Sequence, residues 1–400
     1  MSPTTPIRSL FLVGTLGGVL TTACHDGTLP TAPESRSVVA PSSATPIPLF
    51  AQVSSGNMST CALTSAGKAY CWGIGFMLGS DLPDQSIPVP VAGDLVFRQI
   101  SAGHMHSCAV TTGDRVYCWG NNHFGQLGTG SSGSRSDTPV PVSGKLKFRT
   151  VTTGSEHTCA LTVDDRRAYC WGRNDNGQLG DGTTTSRPSP RAVSGGRVWR
   201  QVSAGSSSTC GITTAKLAFC WGLDNLGQLG DGPATMQHNA PSAVAGGHLF
   251  SQIDAGYMHV CAVTTAQRAY CWGFGAFGAI GDGKLLDRFT PRLVLGSLEV
   301  ARVSAGGLVT CAETTANRTF CWGYNQEGQL GIGFTTDTVV SRPTEIVGPL
   351  RFTQVSVGGL HGCGRTASDT TYCWGNNEKG QLGDGTTDNR YSPTQVVGGP

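Results

Sequence analysis

The sequence contains few charged side chains. Lys, Arg, Asp and Glu make up 14% of its 400 residues, and the formal net charge at pH 7 is only +2. Proteins that recognise nucleic acid through its phosphates usually carry a clustered basic surface and a high isoelectric point, and this chain has no basic tail or arm. The sparse charge therefore argues against a nucleic-acid partner.

Long apolar runs and catalytic motifs are also missing. The apolar run from Leu10 to Leu20 is too short for a membrane-spanning helix, which needs about 20 residues. No helix pattern interrupts the repeats described below, no glycine-rich phosphate loop follows a strand, and no nucleophile and base stand out as a pair. We therefore expect no transmembrane span, no cofactor and no enzyme activity.

What the sequence does contain is one stretch that occurs seven times. In the third copy it reads His157–Thr162 (HTCALT), Ala168–Gly172 (AYCWG) and Gly177–Gly180 (GQLG). The Cys-Trp-Gly motif recurs at intervals of 47, 52, 50, 51, 50 and 52 residues and begins at Cys71, Cys118, Cys170, Cys220, Cys271, Cys321 and Cys373. A fixed period of this length indicates a propeller, a solenoid or an array.

Each copy also carries a large apolar residue eleven places before its first cysteine. These residues are Phe50, Phe97, Phe148, Trp199, Phe250, Val300 and Phe352. The segment that follows alternates between apolar and polar residues, as in Phe97–Gly103, which is typical of a half-buried strand. The 57 glycines suit the tight turns that join short strands, so we predict an all-β protein.

These motifs resemble the regulator of chromosome condensation repeat family. Its pattern runs from alanine-glycine through histidine, a small residue and alanine-leucine to tyrosine, tryptophan-glycine and glycine-glutamine-leucine-glycine. The resemblance covers about Leu49 to Pro400. It implies a seven-bladed β-propeller built from seven repeats of about 50 residues, here an exported bacterial type with paired cysteines. The chromatin-binding and nucleotide-exchange roles of the nuclear family member transfer poorly to a chain without a basic arm.

The N-terminal residues predict export. Arg8 precedes the apolar run, and small residues lead to Cys24, a pattern typical of an export signal over residues 1–23. We expect Cys24 to carry a lipid, with plain secretion as the alternative, so the protein would lie in a bacterial cell envelope or outside the cell. Residues 24–48 are rich in Pro, Ser, Thr and Ala and predict a tether. Residues 49–400 form the predicted propeller.

Two cysteines in each repeat predict seven disulfides. A three-residue turn at Ser65–Gly67 would place Cys61 opposite Cys71 in an antiparallel pair, where a Cα separation of about 4.5 Å suits a disulfide. Buried thiols are the alternative if the chain is not exported, and zinc is a poorer third choice because the pairs lie on separate blades. The predicted pairs are Cys61–Cys71, Cys108–Cys118, Cys159–Cys170, Cys210–Cys220, Cys261–Cys271, Cys311–Cys321 and Cys363–Cys373.

Two further sets of polar residues recur with the repeat. Histidine stands two places before the first cysteine at His106, His157, His259 and His361. The family resemblance implies that these histidines are structural and bond nearby backbone, and a shared metal ion is the alternative. Aspartate lies in a Gly-Asp-Gly turn at Asp181, Asp231, Asp282 and Asp384. One carboxylate per repeat fits turn chemistry better than calcium, so we predict no metal site.

Function is expected at positions that vary between repeats. One such position follows the alanine-glycine turn and is apolar in five of the seven repeats: Met58, Met105, Met258, Leu308 and Leu360. Sevenfold geometry would bring repeats five, six, seven, one and two side by side. These residues, together with Tyr257, would then form a contiguous apolar arc on one rim. Met-rich exposed surfaces adapt to partners, although these side chains could instead pack into the blades.

We therefore predict a monomeric, non-catalytic scaffold that binds an unidentified protein partner through this rim outside the cytoplasm. Inhibition of an extracytoplasmic enzyme is one concrete version, because secreted inhibitors of β-lactamases use the same repeat class. The alternative is a propeller that binds a carbohydrate or small ligand through Tyr257, Phe274, Phe277 and Tyr324. An enzyme with its site on one face is a further alternative.

The end of the chain suggests how the ring closes. The last repeat ends at Pro393–Val397, which matches Pro343–Val347 of the repeat before it, and no further strand follows. We expect the N-terminal strand near Phe50 to complete the last blade, so that both chain ends meet in one sheet.

Overall fold

The computed structural model describes residues 48–398 except residues 234, 337 and 338. The predicted export signal, Cys24 and the predicted tether up to residue 47 lie outside the described residues. The described chain contains 28 β-strands, numbered β1–β28 in chain order, and one turn of 3-10 helix at Gly75–Met77. No helix in this part of the chain is long and apolar enough to cross a membrane.

The strands form seven four-stranded antiparallel sheets, and each sheet is one blade of a β-propeller. The innermost strands are β1 (Phe50–Ser55), β5 (Phe97–Ala102), β9 (Phe148–Thr153), β13 (Trp199–Ala204), β17 (Phe250–Ala255), β21 (Val300–Ala305) and β25 (Phe352–Val357). The second strands are β2 (Ser59–Thr64), β6 (His106–Thr111), β10 (His157–Thr162), β14 (Ser208–Thr213), β18 (His259–Thr264), β22 (Val309–Thr314) and β26 (His361–Thr366).

The third strand of each blade contains the Cys-Trp-Gly motif. These strands are β3 (Ala69–Gly73), β7 (Val116–Asn122), β11 (Ala168–Gly172), β15 (Ala218–Leu223), β19 (Ala269–Gly273), β23 (Thr319–Gly323) and β27 (Thr371–Gly375). The outermost strands are β4 (Gln85–Pro90), β8 (Gly133–Pro141), β12 (Arg187–Ala192), β16 (Gln237–Ala243), β20 (Arg288–Leu293), β24 (Val340–Glu345) and β28 (Arg390–Gln395). The predicted all-β, seven-bladed fold is confirmed.

The glycine of Cys-Trp-Gly is required by a bulge in the third strand. The pairing of β11 with β12 shifts register between Cys170 and Gly172. Gly172 has φ of 103°, and a Cβ atom there would lie 2.5 Å from the carbonyl oxygen of Glu156. Any larger residue would therefore meet both backbone strain and a clash.

Disulfides join the second and third strands of every blade. In blade one, Leu63 pairs with Ala69 and Cys61 stands opposite Cys71, as the sequence predicts. All seven predicted pairs are bonded, with Cα separations of 4.0–4.1 Å. Each bridge is buried next to the tryptophan of the following blade, so the apolar core lies between the blades.

The expectation that the N-terminal strand completes the last blade is wrong. Strand β1 pairs with β2 in the first blade, and β28 is itself the fourth strand of the last blade. The ring closes by packing instead, because Phe50 and Trp72 share one apolar cluster with Leu382 and Val396. Each blade takes its four strands from one continuous segment of the chain, and Arg390–Gln395 supplies the outermost strand of the last blade.

Candidate functional site

The turns between the first and second strands of all blades lie on one face of the ring, which we call the turn face. The backbone there is fixed, because the carbonyl at each arc position accepts a hydrogen bond from the residue after Cys-Trp-Gly in the same blade. Phe274 donates to Met258 and Tyr324 donates to Leu308, at 2.9 and 3.0 Å. The arc positions and the residues after Cys-Trp-Gly therefore form two adjacent rows on this face.

The arc residues differ in exposure. Met258 is 42% exposed and Leu360 is 36% exposed, whereas Met58, Met105 and Leu308 are half-buried. The blades that carry them are neighbours in the ring, because the first and seventh blades pack against each other. The predicted arc residues thus lie on five adjacent blades, and all five are at least partly accessible.

An aromatic chain lies beside the arc on blades five and six. The ring centroids of Phe274 and Phe277 are 5.7 Å apart, and those of Phe277 and Tyr324 are 5.6 Å apart in an edge-to-face arrangement. All three side chains are half-buried. The residues predicted for protein binding and those predicted for carbohydrate binding therefore share one surface.

Tyr257 lies apart from that aromatic chain. Its hydroxyl donates a hydrogen bond to Asn57 Oδ1 of the first blade at 3.1 Å, and its ring lies 5.4 Å from that of His104 on the second blade. Burial raises the pKa of Tyr257, so the phenol stays protonated and acts as a donor. Tyr257 thus spans the central channel from blade five and covers its mouth on the turn face.

Charged residues occupy the part of the turn face that the arc leaves out. Arg173 on blade three forms two salt bridges, from Nη1 to Glu156 Oε2 and from Nη2 to Asp175 Oδ2, each at 2.6 Å. Its Cζ atom lies over the Phe124 ring, 4.9 Å from the ring centroid. Hydrogen bonds from the Arg173 guanidinium to Asp175 raise its pKa, which keeps it charged. The turn face therefore has an apolar sector and a charged sector.

The central channel is lined by the innermost strands and encloses about 130 Å³. One side chain per blade accepts a hydrogen bond from a backbone N–H of the next blade, at 2.9–3.2 Å: Ser54, Ser101, Thr152, Ser203, Asp254, Ser304 and Ser356. Asp254 is the single carboxyl in this ring. Burial in the channel raises its pKa to about 6.

The four repeat histidines are structural, as predicted, but they bond a side chain rather than backbone. Each Nε2 lies 2.7–2.8 Å from a threonine hydroxyl of the next blade, in the pairs His106–Thr158, His157–Thr209, His259–Thr310 and His361–Thr60. Each of these hydroxyls donates to a loop carbonyl, so the histidine Nε2 must carry the proton.

Burial lowers the pKa of His106 and His157 to about 3 and that of His259 and His361 to about 4. The rings are therefore neutral, and each is bound to its own threonine rather than to a shared ion. The sequence contains a signal for these pairs. Threonine precedes the first cysteine only where the previous blade has histidine, whereas Ser107, Val260 and Gly362 follow blades without it.

Three of the four Gly-Asp-Gly aspartates hold turns and pair with an arginine. Asp181 accepts from the Thr183 N–H and Asp384 from the Thr386 N–H, each at 3.0 Å. The carboxylates then bind an arginine on the outermost strand, in the pairs Asp181–Arg187, Asp282–Arg288 and Asp384–Arg390. Asp231 pairs with no arginine of the described residues and lies near Asp224 and His238 instead.

Comparison with family models decides the relationship. The model described as the regulator of chromosome condensation (RCC1) repeat matches residues 114–161, 165–212, 217–263, 268–312, 317–364 and 368–400. The chain belongs to the RCC1 repeat family. A second model with the same description matches residues 97–126, 148–178, 199–228 and 352–381.

Relatives of known sequence are RCC1 repeat proteins of several kinds. The chain is 30% identical to the ultraviolet-B receptor UVR8 of Arabidopsis thaliana over 280 residues, which cover 68% of this chain and 63% of the receptor. It is also 30% identical to the human E3 ubiquitin-protein ligase HERC2 over 285 residues, covering 68% of this chain and 6% of the ligase. The chain thus spans less than two thirds of each of these relatives.

Two solved structures share the fold. Prp20p from Saccharomyces cerevisiae superposes with a TM-score of 0.72 at 21% identity, covering 84% of this chain and 87% of that one. Human WBSCR16 gives a TM-score of 0.69 at 22% identity, covering 78% and 85%. At these identities the likeness shows the propeller fold alone.

Proposed function

We propose that this RCC1 repeat protein is a non-catalytic interaction scaffold that acts outside the cytoplasm and binds a protein partner through its turn face. The observation that carries the proposal is the apolar arc on five adjacent blades, with Met258 42% and Leu360 36% exposed. Partly exposed apolar side chains grouped on one face of a soluble domain are typical of protein interfaces.

The chemistry of the turn face suits a protein partner. Methionine side chains adapt to the shape of a partner, and the aromatic chain of Phe274, Phe277 and Tyr324 extends the apolar surface outward. Arg173 with its two carboxylate neighbours borders the arc and would orient the partner through charge. Yeast RCC1, which shares the propeller fold, has been solved bound to the protein Kap60.

Seven disulfides support a location outside the cytoplasm, where oxidising conditions let them persist. Together with the predicted export signal and the predicted lipid on Cys24, they favour a protein of the cell envelope or the secreted fraction. A partner in that compartment could be an enzyme that the propeller inhibits by covering its active site with the turn face.

Affinity capture with two matched variants tests the proposal. Met58, Met105 and Met258 are changed together to serine in one variant. The control variant changes Val96, Val198 and Leu249 to serine. These three residues lie at the other end of the innermost strands and are 39%, 41% and 47% exposed. We expect the oxidised wild type and the control to capture the same envelope protein and the arc variant to lose it. Equal capture by both variants would exclude the arc as the binding surface.

Carbohydrate binding is the second candidate, and the aromatic chain favours it. Phe274, Phe277 and Tyr324 offer ring faces at one place on the turn face. Tyr257 would not join them, because its hydroxyl is bound to Asn57 at the channel mouth. A glycan array with wild type and a Phe277→Ala variant separates the candidates, since a hit that depends on Phe277 would favour carbohydrate over protein.

A further inference from the structure

Blade four departs from its sister blades at one cluster on the loop side of its outermost strand. In blades three and seven, an asparagine amide donates to the Gly-Asp-Gly aspartate, from Asn174 to Asp181 at 3.2 Å and from Asn377 to Asp384 at 3.1 Å. An arginine on the outermost strand then neutralises that aspartate. Each of these clusters therefore satisfies its carboxylate with one amide donor and one cation.

Both of these partners are replaced in blade four. Asp224 stands where blade three has Asn174, and His238 pairs with Gly222 in the register where Arg187 pairs with Gly172. The two changes remove the amide donor and the permanent cation from the same aspartate, Asp231. Each change also introduces a residue type that binds metal ions.

The three side chains converge on one point. One ligand atom from each of Asp224, Asp231 and His238 lies within 4.8 Å of the others. His238 Nε2 is 3.3 Å from Asp231 Oδ2. Ligand atoms around a tetrahedral ion with bonds of about 2.1 Å lie roughly 3.4 Å apart, so this separation is that of two adjacent ligands.

Surrounding groups orient the two carboxylates. Asp224 is fully buried and accepts hydrogen bonds from the Leu229 N–H at 3.0 Å and from the N–H and hydroxyl of Thr235, both at 3.1 Å. Ser242 donates its hydroxyl to Asp231 Oδ2 at 2.6 Å. Such outer contacts fix metal-binding carboxylates in place.

Access and charge also suit an ion. The side chain of Asp231 is 12% exposed and that of His238 is 34% exposed, so the cluster opens to solvent beside the imidazole. No lysine or arginine forms a salt bridge with Asp224 or Asp231 among the described residues. An incoming cation would supply the charge that arginine supplies in blades three, five and seven.

We propose that Asp224, Asp231 and His238 form a binding site for one divalent transition-metal ion, with Zn²⁺ or Mn²⁺ as the matching class. One imidazole and two carboxylates suit these ions, whereas Ca²⁺ prefers six to eight oxygen ligands. Three protein ligands leave a coordination position open to water. The ion would join the loop after Gly-Gln-Leu-Gly to strand β16 of blade four.

Metal titration of the purified, chelator-treated full chain without a histidine tag tests this site. Asp224→Asn and His238→Arg each restore the residue of blades three and seven, so both variants are compatible with the fold. His123→Gln removes an exposed histidine elsewhere and serves as the control. Binding of Zn²⁺ and Mn²⁺ is measured by calorimetry and by competition with a fluorescent chelator, with Ca²⁺ as a comparison ion.

We expect one ion per chain in wild type and in His123→Gln, and at least tenfold weaker binding in each of the two consensus variants. The melting temperature of wild type should rise with metal, and that of the Asp224→Asn/His238→Arg double variant should not. No binding by wild type up to millimolar metal, unchanged binding in either consensus variant, or tighter binding of Ca²⁺ than of Zn²⁺ would overturn the assignment. Melting without metal verifies that each variant is folded.

Discussion

His361 Nε2 lies 2.8 Å from Thr60 Oγ1, although the two residues are 301 positions apart in the chain. The Thr60 hydroxyl in turn donates to the carbonyl of Gln381 at 2.8 Å. The seventh blade is thereby joined to the first by the same histidine-threonine-carbonyl chain that joins blade two to three, three to four, and five to six. The closing interface thus has the same hydrogen-bond chain as three of the other six blade interfaces.

Loss of the Thr60 hydroxyl should destabilise the ring. Thr60→Val leaves the His361 N–H without an acceptor in a fully buried position, and the Gln381 carbonyl loses its donor. We expect the free energy of unfolding to fall by about 1–3 kcal/mol. Chemical denaturation of the oxidised protein measures the change.

The control for this variant is Thr371→Val. Thr371 is buried, but its hydroxyl has no hydrogen-bond partner within the described part of the chain. Blade two has Val116 at the same place. Removing this hydroxyl should be neutral or slightly stabilising. Equal destabilisation by both valine variants would mean that the histidine-threonine bond contributes nothing specific.

Much of this fold was predictable because the same sequence motif recurs in all seven blades. The opposite placement of Cys61 and Cys71 follows from the length of the turn between them. The predicted mode of ring closure is wrong, because the sequence motif does not mark where a blade ends, and Arg390–Gln395 is itself the fourth strand of the last blade. The pairing of histidine with threonine in the next blade, including Thr60 after His361, could have shown closure from the sequence alone.

Acid should destabilise the ring through its buried histidines. The unfolded chain binds protons near the usual histidine pKa of 6.5, whereas His157 in the folded state has a pKa of about 3. The contribution of each neutral histidine to the free energy of unfolding is therefore fully present above pH 6.5. It is lost as the pH falls toward 3, by up to about 1.4 kcal/mol per pH unit for each histidine.

His157→Ser tests this origin, because blades one and four have Ser59 and Ser208 at the same position. The slope of unfolding free energy against pH between 6 and 4 should decrease by the contribution of one histidine. An unchanged slope would show that carboxylates alone cause the acid sensitivity.

Asp254 should have the opposite pH dependence. Its folded pKa is about 6, above the usual 3.8, so the ionised carboxyl destabilises the channel above pH 6 and this penalty disappears as the pH falls below 4. Asp254→Ser supplies the residue found at Ser54 and Ser203. We expect the variant to be more stable than wild type at pH 7, by at most about 3 kcal/mol, and the difference to shrink in acid. A difference independent of pH would contradict the raised pKa.

The repeat cysteines should be fully oxidised in protein isolated from its natural compartment. Each disulfide is buried, with both cysteines of every pair at most 1% exposed. Mass analysis after alkylation in denaturant, without reductant, should find no label on the fourteen repeat cysteines. Label distributed over all repeats would indicate reduced thiols and a cytoplasmic location.

The candidate site was only partly predictable. The apolar arc could be read from the sequence because the repeat fixes which residue follows the alanine-glycine turn, as for Met258. The position of Tyr257 could not, because its bond to Asn57 depends on the width of the channel and not on its own blade. The cluster of Asp224 and His238 was also missed, because Asp231 shares its motif with aspartates that arginine neutralises.

Photo-crosslinking from single positions tests most directly whether the turn face binds a protein. Met258 and Leu249 are similarly exposed, at 42% and 47%, but they lie at opposite ends of the innermost strand of blade five. A photoreactive amino acid is placed at each position in turn, and the protein is irradiated in the cell envelope. The account predicts a discrete crosslinked protein from position 258 and none from position 249. Crosslinks from position 249 only, or from neither position, would contradict it.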